Sequence, residues 1–514
     1  MRNHTRSHRR NPRRNLRPLA AFLALILLTL SPAGMLAQTQ QIPAHPRELK
    51  YAPLTYSPPK RDQYRHVLAN GAVVYLVEDH DLPLVNISTT VRTGSYLDPA
   101  GKEGLAALTG TQMRIGGTSS KTAEEFDEAC AFLAANIANT IGATQGTATL
   151  NLLAKDVDQG LALYFDMLRN PRFQEDRIKL AKSQLLQNME RRNDRTDEIE
   201  DREWARLMYG TDHFSTKVTT KASIDGITRE DMVAFQQRYY QPAGFIFAVS
   251  GDFNTKDMLA KLEAAMKGWP VNKQAVAPVP KPTNTLVPGV YTVNKADMNQ
   301  GRVSIGHIGA LRDSPDAYAL DLMNDILGGG GFTSRIMSRV RSDEGLAYDA
   351  SSNFGLGIYY PLSFRASFQS KNPSTSQAID IVMEEINRVR TTKVTAEELE
   401  TAKNQDIETF PQVFSTATRI AGTFGQDEYT KRPADYWTTY RDRIRAITAD
   451  DVQRVAQKYL QPDKLVVLIV GNIDEISKGN PDKPQYTLLK IAKDGQIRRI
   501  PLPDPLTMIY PNTP

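Results

Sequence analysis

The sequence predicts an α+β protein made of two copies of one domain joined by a Pro-rich linker. The first observation behind this is internal repetition. Ile227–Phe253 aligns without a gap onto Ile447–Ile473, an offset of 220 residues, with eight of 27 pairs identical, among them Tyr239/Tyr459, Pro242/Pro462 and Gly251/Gly471. A period that long marks a duplicated domain, not a solenoid repeat. The second is the stretch from Ala275 to Pro288, whose prolines favour extended, unpaired backbone. The third is a mixture of β-branched runs and capped helices with few clean βαβ alternations, which favours α+β over a doubly wound sheet.

Taken in order, residues 1–37 read as a secretory signal. Arg2, Arg6, Arg9, Arg10, Arg13, Arg14 and Arg17 precede an apolar run from Leu19 to Leu30, and small residues at Ala33 and Ala37 offer cleavage sites. That order of basic, apolar and small residues is the export pattern. The run falls short of the roughly 20 apolar residues of a membrane span, so no stable membrane insertion is expected after cleavage, and the expected location is the periplasm of a Gram-negative bacterium. Residues 38–60 form a Gln- and Pro-rich extended arm.

In the first domain, 61–274, Ala72–Glu78 and Leu84–Thr93 are β-branched runs between turn residues and read as strands. Thr122 to Glu125 is a capping box that opens a helix with the stripe Phe126, Cys130, Leu133 and Ile137. Phe173–Tyr209 reads as one long helical stretch, and its mixed-charge run Arg191–Glu203 as a solvated face. After the linker, 275–289, the second domain, 290–478, offers a strand at Arg302–Ile308, a helix at Ala317–Leu327 and an alternating strand at Leu362–Phe368. Between them, Ser334–Asp343 reads as a helix that Gly345 ends in the left-handed region, with Leu346–Ser352 turning back as a strand. Residues 479–514 read as an extended Pro-rich tail.

Composition fits this plan and excludes others. The 514 residues are 40% hydrophobic and 24% charged, an ordinary globular mixture. Lys and Arg number 63 against 58 acids, a net charge of +5. Seven of the 63 lie in the first 37 residues, which hold no acid, so the remainder carries 56 against 58 and a net charge of −2. The basic charge therefore gives no reason to expect a nucleic-acid partner. Cys130 is the only cysteine, so no disulfide framework is possible, and its stripe places it in the core.

Several motifs together carry a family resemblance. In the first half they are the run Leu68 to Glu78, Leu82–Val85, Thr93–Ser95, Asp98 and Gly104-Leu105-Ala106; in the second, Ile326 to Arg335 and Val340 to Tyr348. With these the chain resembles the pitrilysin/insulinase-type (M16) metallopeptidases, in particular bacterial members of the processing-peptidase type. The resemblance implies two α/β sandwich domains that form half of a clam-shell chamber.

Active members of that family follow Gly-Leu-Ala with H-x-x-E-H, two zinc-binding histidines one helical turn apart and a glutamate that activates the metal-bound water. Here the matched positions are Ala107, Gly110 and Thr111, and the third-ligand glutamate is matched by Asn188. None offers a zinc donor, so no metal is expected in this chain. The seven histidines are His4, His8, His45, His66, His80, His213 and His307. No pair outside the signal has helix-facing spacing; His80 reads as a turn cap and His307 as a satisfied core or interface residue. The family's second-domain Arg and Tyr are matched by Arg341 and Tyr348. The run Gly328, Gly329, Gly330 and Gly331 allows close backbone approach and mobility, which suits a substrate loop at a chamber mouth; the alternative is a helix stop with a tight turn.

The resemblance thus implies a non-catalytic, substrate-binding and activating subunit of a heterodimeric periplasmic zinc endopeptidase. Zinc would reside in a partner homologue that keeps H-x-x-E-H, and the substrates would be peptides or unfolded protein segments. The alternative is a purely structural pseudo-peptidase or a peptide-binding scaffold.

Overall fold

A computed structural model describes Leu49, residues 55–270 and residues 275–511 of the chain. The signal, most of the arm and His45 lie outside the described residues. Tyr56 onward forms one compact unit.

In chain order the strands are β1 (Arg65–Val67), β2 (Val73–Glu78), β3 (Leu84–Val91), β4 (Asn136–Ile141), β5 (Gly146–Leu153), β6 (Ile246–Gly251), β7 (Gly289–Asn294), β8 (Gln300–Ile308), β9 (Ala310–Leu311), β10 (Ala347–Phe354), β11 (Leu356–Gly357), β12 (Ser363–Lys371), β13 (Val466–Gly471) and β14 (Ile497–Arg499). The first sheet runs β1-β2-β6-β3-β5-β4 and the second β14-β7-β13-β8-β12-β10, while β9 and β11 pair separately. Read this way the two orders superpose strand for strand, so the duplication seen in sequence is a duplication of topology. They differ at one edge. β1 precedes β2 and pairs with it antiparallel, whereas β14 comes from the chain's end and pairs with β7 parallel.

One face of each sheet packs on helices of its own half. Val85, Ile87, Leu150 and Leu152 meet Tyr164, Leu168 and Phe235 in the first core; Val303, Ile305, Phe364 and Ala366 meet Leu320, Ile379 and Val455 in the second. The opposite face is covered by a helix from the other half. Helix Thr196–Tyr209 lays Ile199, Trp204 and Met208 on Val293, Val466 and Leu468 of the second sheet. Helix Ala417–Thr430 lays Phe424 and Tyr429 on Tyr75 and Ile246 of the first. Trp204 and Phe424 are themselves 220 positions apart, so the exchange is reciprocal. Each fully buried large side chain contributes about 1.5–3 kcal/mol, which makes the exchanged helices structural members of the sheets they visit. Polar pins reinforce them. The Arg65 guanidinium donates to both carboxylate oxygens of Glu428 at 3.0 Å, and the Tyr75 hydroxyl donates to the same group at 2.7 Å.

Several local expectations are corrected. Phe173–Tyr209 is two helices, Glu175–Glu190 and Thr196–Tyr209, because the chain must turn at 191–195 to reach the second sheet. The charged run is not a solvated face: Glu200 and Glu203 are buried. Arg302 and Arg365 pair with Glu200 at 2.7 and 3.1 Å, and these partners lie beyond the linker where local periodicity cannot see them. Ile137 leaves the Cys130 stripe for β4, since that helix ends at Phe132. The helix at Ala317 ends at Asn324 and continues as a π-helical turn over Asp325–Gly329; Arg335–Met337 likewise runs into a π-helical Ser338–Asp343. The tail is not simply extended: it holds a helical turn, Leu488–Ile491, and β14. Beyond β14 it crosses to the first half, where Tyr510 stacks 3.9 Å from the Arg206 guanidinium and its hydroxyl donates to Glu203 at 2.7 Å.

Candidate functional site

Helix Leu105–Ile115 carries three of the four positions matched to the metal site. Its start is fixed by Gly104 at φ 102°, and the Asp98 carboxylate accepts the backbone N–H groups of Gly104 at 2.9 Å and Ala106 at 2.8 Å. Burial pushes the Asp98 carboxyl up to about 6. Ala107 and Thr111 are exposed one turn apart. The Thr111 hydroxyl donates back to the carbonyls of Ala107 and Leu108, at 3.2 and 3.1 Å. Gly110 faces inward, and a Cβ there would sit 2.7 Å from the backbone nitrogen of Ile141 on β4. Its carbonyl accepts from Asn139 Nδ2 at 2.9 Å. Asn188 is exposed on helix Glu175–Glu190, which packs on the first helix. A methyl, a hydrogen, a hydroxyl and a neutral amide are not a zinc donor set. Among the described residues no group of three or more His, Cys, Asp or Glu side chains is placed to hold a metal ion.

Ala107 opens onto a cavity of about 740 Å³ that Asp98, Tyr209 and His213 line together with linker residues Pro280–Thr285. The linker is fastened there. The Tyr96 hydroxyl donates to the Ala277 carbonyl at 3.0 Å, and His213 Nε2 lies 3.1 Å from the Pro280 carbonyl. The His213 ring is also held between Phe214 and Tyr360, at centroid distances of 4.5 and 4.8 Å. His80 and His307 are occupied too. His80 pairs at the surface with Asp252 at 2.6 Å. His307 is buried, its Nδ1 lies 2.8 Å from the Ile308 carbonyl and its Nε2 accepts the Gln461 N–H at 3.0 Å, while burial pushes its pKa down.

The second-half residues come together. Arg341 lies in the π-helical turn and Tyr348 on β10, and Gly345 at φ 64° makes the turn between them. The guanidinium is 4.5 Å from the Tyr348 ring centroid and 4.7 Å from that of Phe332, within cation–π range. Phe332 and Tyr348 are 67% and 83% exposed, so one cation is held between two aromatic rings at an open surface. Sequence reasoning missed Phe332; its one signal was an aromatic residue directly after the glycine run. Those glycines divide. A Cβ at Gly328 would lie 2.6 Å from the Ser352 nitrogen on β10, and one at Gly329 would lie 2.5 Å from Asn324 Nδ2, so this end needs glycine for close packing. Gly330 closes the turn by donating to the Asp325 carbonyl, and Gly331, at φ 63° in open space, aims Phe332 outward.

Comparison with known proteins gives a consistent set of likenesses. A family model described as insulinase (peptidase family M16) matches residues 73–219, and one described as the peptidase M16 inactive domain matches residues 226–405. A protein named non-peptidase homolog YmxG from Helicobacter pylori is 22% identical over 412 residues, covering 79% of this chain and 94% of its own. The probable mitochondrial-processing peptidase subunit beta of Arabidopsis thaliana is 22% identical over 435 residues, covering 80% and 79%. Among solved structures, a peptidase M16 inactive domain from Pseudomonas fluorescens superposes with a TM-score of 0.71 at 24% identity, over 79% of this chain and 97% of that one. The periplasmic protease PqqL of Escherichia coli gives 0.68 at 14% identity, over 82% of this chain and 47% of PqqL.

Proposed function

The chain belongs to peptidase family M16, and we propose that within it this protein is the non-catalytic, substrate-binding and activating subunit of a heterodimeric periplasmic zinc endopeptidase. The observation that carries this reading is an asymmetry. The four metal-site positions hold no donor, and Gly110 has no room for one, whereas Arg341 and Tyr348 stand together at an open surface, oriented by Phe332. The zinc and its water would belong to a partner homologue that keeps H-x-x-E-H.

What this chain would supply is a pair of donors. The Arg341 guanidinium and the Tyr348 hydroxyl, directed at the carbonyl oxygen of a scissile peptide bond, stabilise the negative charge that develops there. Donors fixed in advance are worth most at such a site because they need no reorganisation as the charge forms. The aromatic clamp on Arg341 provides that fixity. Peptides or unfolded segments fit as substrates, since a folded domain could not bring its backbone between two such subunits.

Coexpression with an H-x-x-E-H homologue, followed by peptidase assays on the purified pair, tests the reading. Arg341→Ala and Tyr348→Phe should each slow cleavage without dissociating the pair. Unchanged rates in both variants would leave only the scaffold role. Failure of any such homologue to associate would remove the heterodimer itself.

A further inference from the structure

Each exchanged helix covers only part of the sheet face it visits, and the part left open has one composition in both copies. On the second sheet, helix Thr196–Tyr209 covers β7, β13 and the near side of β8. β12 turns Ser363, Arg365, Ser367, Gln369 and Lys371 to this side, while Phe364, Ala366 and Phe368 enter the core; Ser363 and Arg365 still touch the helix through Trp204, and Ser367, Gln369 and Lys371 lie beyond it. β10 adds Asp349, Ser351 and Asn353 on the same side. Two depressions of about 500 and 480 Å³ share Arg302 and Ser367 and so form one trough, with Tyr348 at one end and Trp204 and Tyr209 at the other. The first sheet repeats the rule without charges: Thr147, Thr149 and Asn151 on β5 and Ser88 on β3 alternate with core residues.

These are short hydroxyl and amide side chains, each able to donate and accept, repeating every second residue, or about 6.8 Å along a strand. An extended peptide presents its own side chains at that same repeat. The charges are also arranged. Arg302 and Arg365 are pinned by the buried Glu200, and Arg365 also by Asp201 at 2.7 Å, so they hold fixed directions with their charge balanced by two carboxylates. Lys371 and Asp349 make no ion pair among the described residues, so the trough also holds one cation and one anion free to meet a ligand. Large apolar and aromatic side chains (Leu346 and Tyr348 at one end, Trp204, Tyr209 and Leu362 at the other) bound the trough at its ends, while its floor between them is the polar ladder of β12.

We propose that this trough binds an extended peptide segment of about nine residues, the span of β12 at about 3.4 Å per residue, whose inward side chains are hydroxyl, amide or carboxylate groups. The proposal rests on the substrate-binding role above and specifies its substrate class: polar segments that turn hydroxyl, amide or carboxylate groups, not large apolar ones, onto the ladder of β12. The segment lies flat on the sheet and delivers one end to Tyr348.

The test needs no partner subunit. Fluorescence anisotropy with the full mature chain compares a labelled nine-residue peptide bearing Ser, Gln and Asp at alternate positions with one bearing Leu and Val there. The polar peptide should bind about ten-fold more tightly, a difference of one or two hydrogen bonds. The double variant Ser367→Leu, Gln369→Leu, at two side chains outside the core, should erase the preference. Should the larger side chains disturb folding, Ser367→Ala with Gln369→Ala should still reduce it. Equal or tighter binding of the apolar peptide, binding of neither, or displacement by a neutral oligosaccharide but not by unlabelled polar peptide would each overturn the proposal. Activation of a zinc-bearing homologue is measured separately, so either reading can fail while the other stands.

Discussion

The guanidinium of Arg341 lies 4.5 Å from the ring centroid of Tyr348 although the two side chains stand on different elements, one on a π-helical turn and one on an edge strand. Because Phe332 holds the same cation from another side, loss of one ring should not release it. Tyr348→Phe is therefore expected to keep the clamp and lose only the hydroxyl, lowering kcat/KM of the assembled peptidase by about 10-fold. Arg341→Ala should lower it by about 10²–10³-fold, the range seen for a lost oxyanion donor. Thermal midpoints of both variants should match the parent, which separates a site effect from a folding effect.

Gly110 closes the metal site sterically as well as chemically. A Cβ 2.7 Å from a backbone nitrogen forces the Leu105–Ile115 helix away from β4. Gly110→Ala should accordingly cost about 1–3 kcal/mol, read from urea midpoints. The restoring triple change Ala107→His, Gly110→Glu, Thr111→His should gain no tight zinc binding by calorimetry, because the glutamate position lacks room and Asn188 supplies no third ligand. Tight stoichiometric zinc in that variant would contradict this account of the helix.

Asp321 and Asp325 sit one helical turn apart, with Asp406 close by, and burial followed by the neighbouring carboxylates pushes both carboxyls up to about 7; Arg432 opposes the shift at Asp321. Between pH 4 and pH 7 the folded chain thus retains protons that the unfolded chain releases. The stabilisation is complete below about pH 4 and is lost as pH rises through 7. Asp321→Asn with Asp325→Asn should remove this dependence. Relative to the parent, the double variant should gain about 5 kcal/mol between pH 5 and pH 8, two groups at about 1.4 kcal/mol per pH unit up to pH 7, measured by denaturant unfolding at each pH. A parallel pair of stability curves would rule this out.

Tyr510 ties the end of the chain to the first half through Arg206 and Glu203. Tyr510→Ala should cost about 1–2 kcal/mol, one cation–π contact and one charge-assisted hydrogen bond. Removing the tail from residue 496 onward should cost more, since it also strips β14 from β7 and bares a sheet edge. Urea midpoints and light scattering of the truncated chain report the two effects.

How far the sequence reaches depends on whether the signal is local. Strands such as β2 and β3 are legible because alternation along a few residues states which side is buried. The capping box at Thr122 is legible because it closes within one turn; its side chain accepts from Glu125 N–H as the motif requires. The motif positions Ala107, Gly110, Thr111 and Asn188 can be located by their neighbours, but the contact of Gly110 with Ile141 cannot, because β4 lies a loop and a helix further on. Glu200 and Glu203 defeat local reasoning: inside a charged run they look solvated, and although Arg202 pairs with Glu203 at 2.8 Å, it is Arg302, Arg365 and Tyr510 from beyond the linker that complete their burial. Trp204 and Met208 share a helical face by their spacing of four without saying which sheet they will cover.

That last ambiguity has a historical side. A lone copy of the repeat would send its helix outward with no sheet to meet, and would leave one face of its own sheet bare. Only a second copy, offering the matching helix in return, satisfies both. The fused chain is in this sense a swapped dimer made permanent, in which the linker replaces encounter between two molecules by a high local concentration of one half around the other. Once joined, the copies no longer had to remain identical. The two halves can carry different side chains at their matched positions, because the mutual embrace of the helices, not the chemistry of either half, holds the two together.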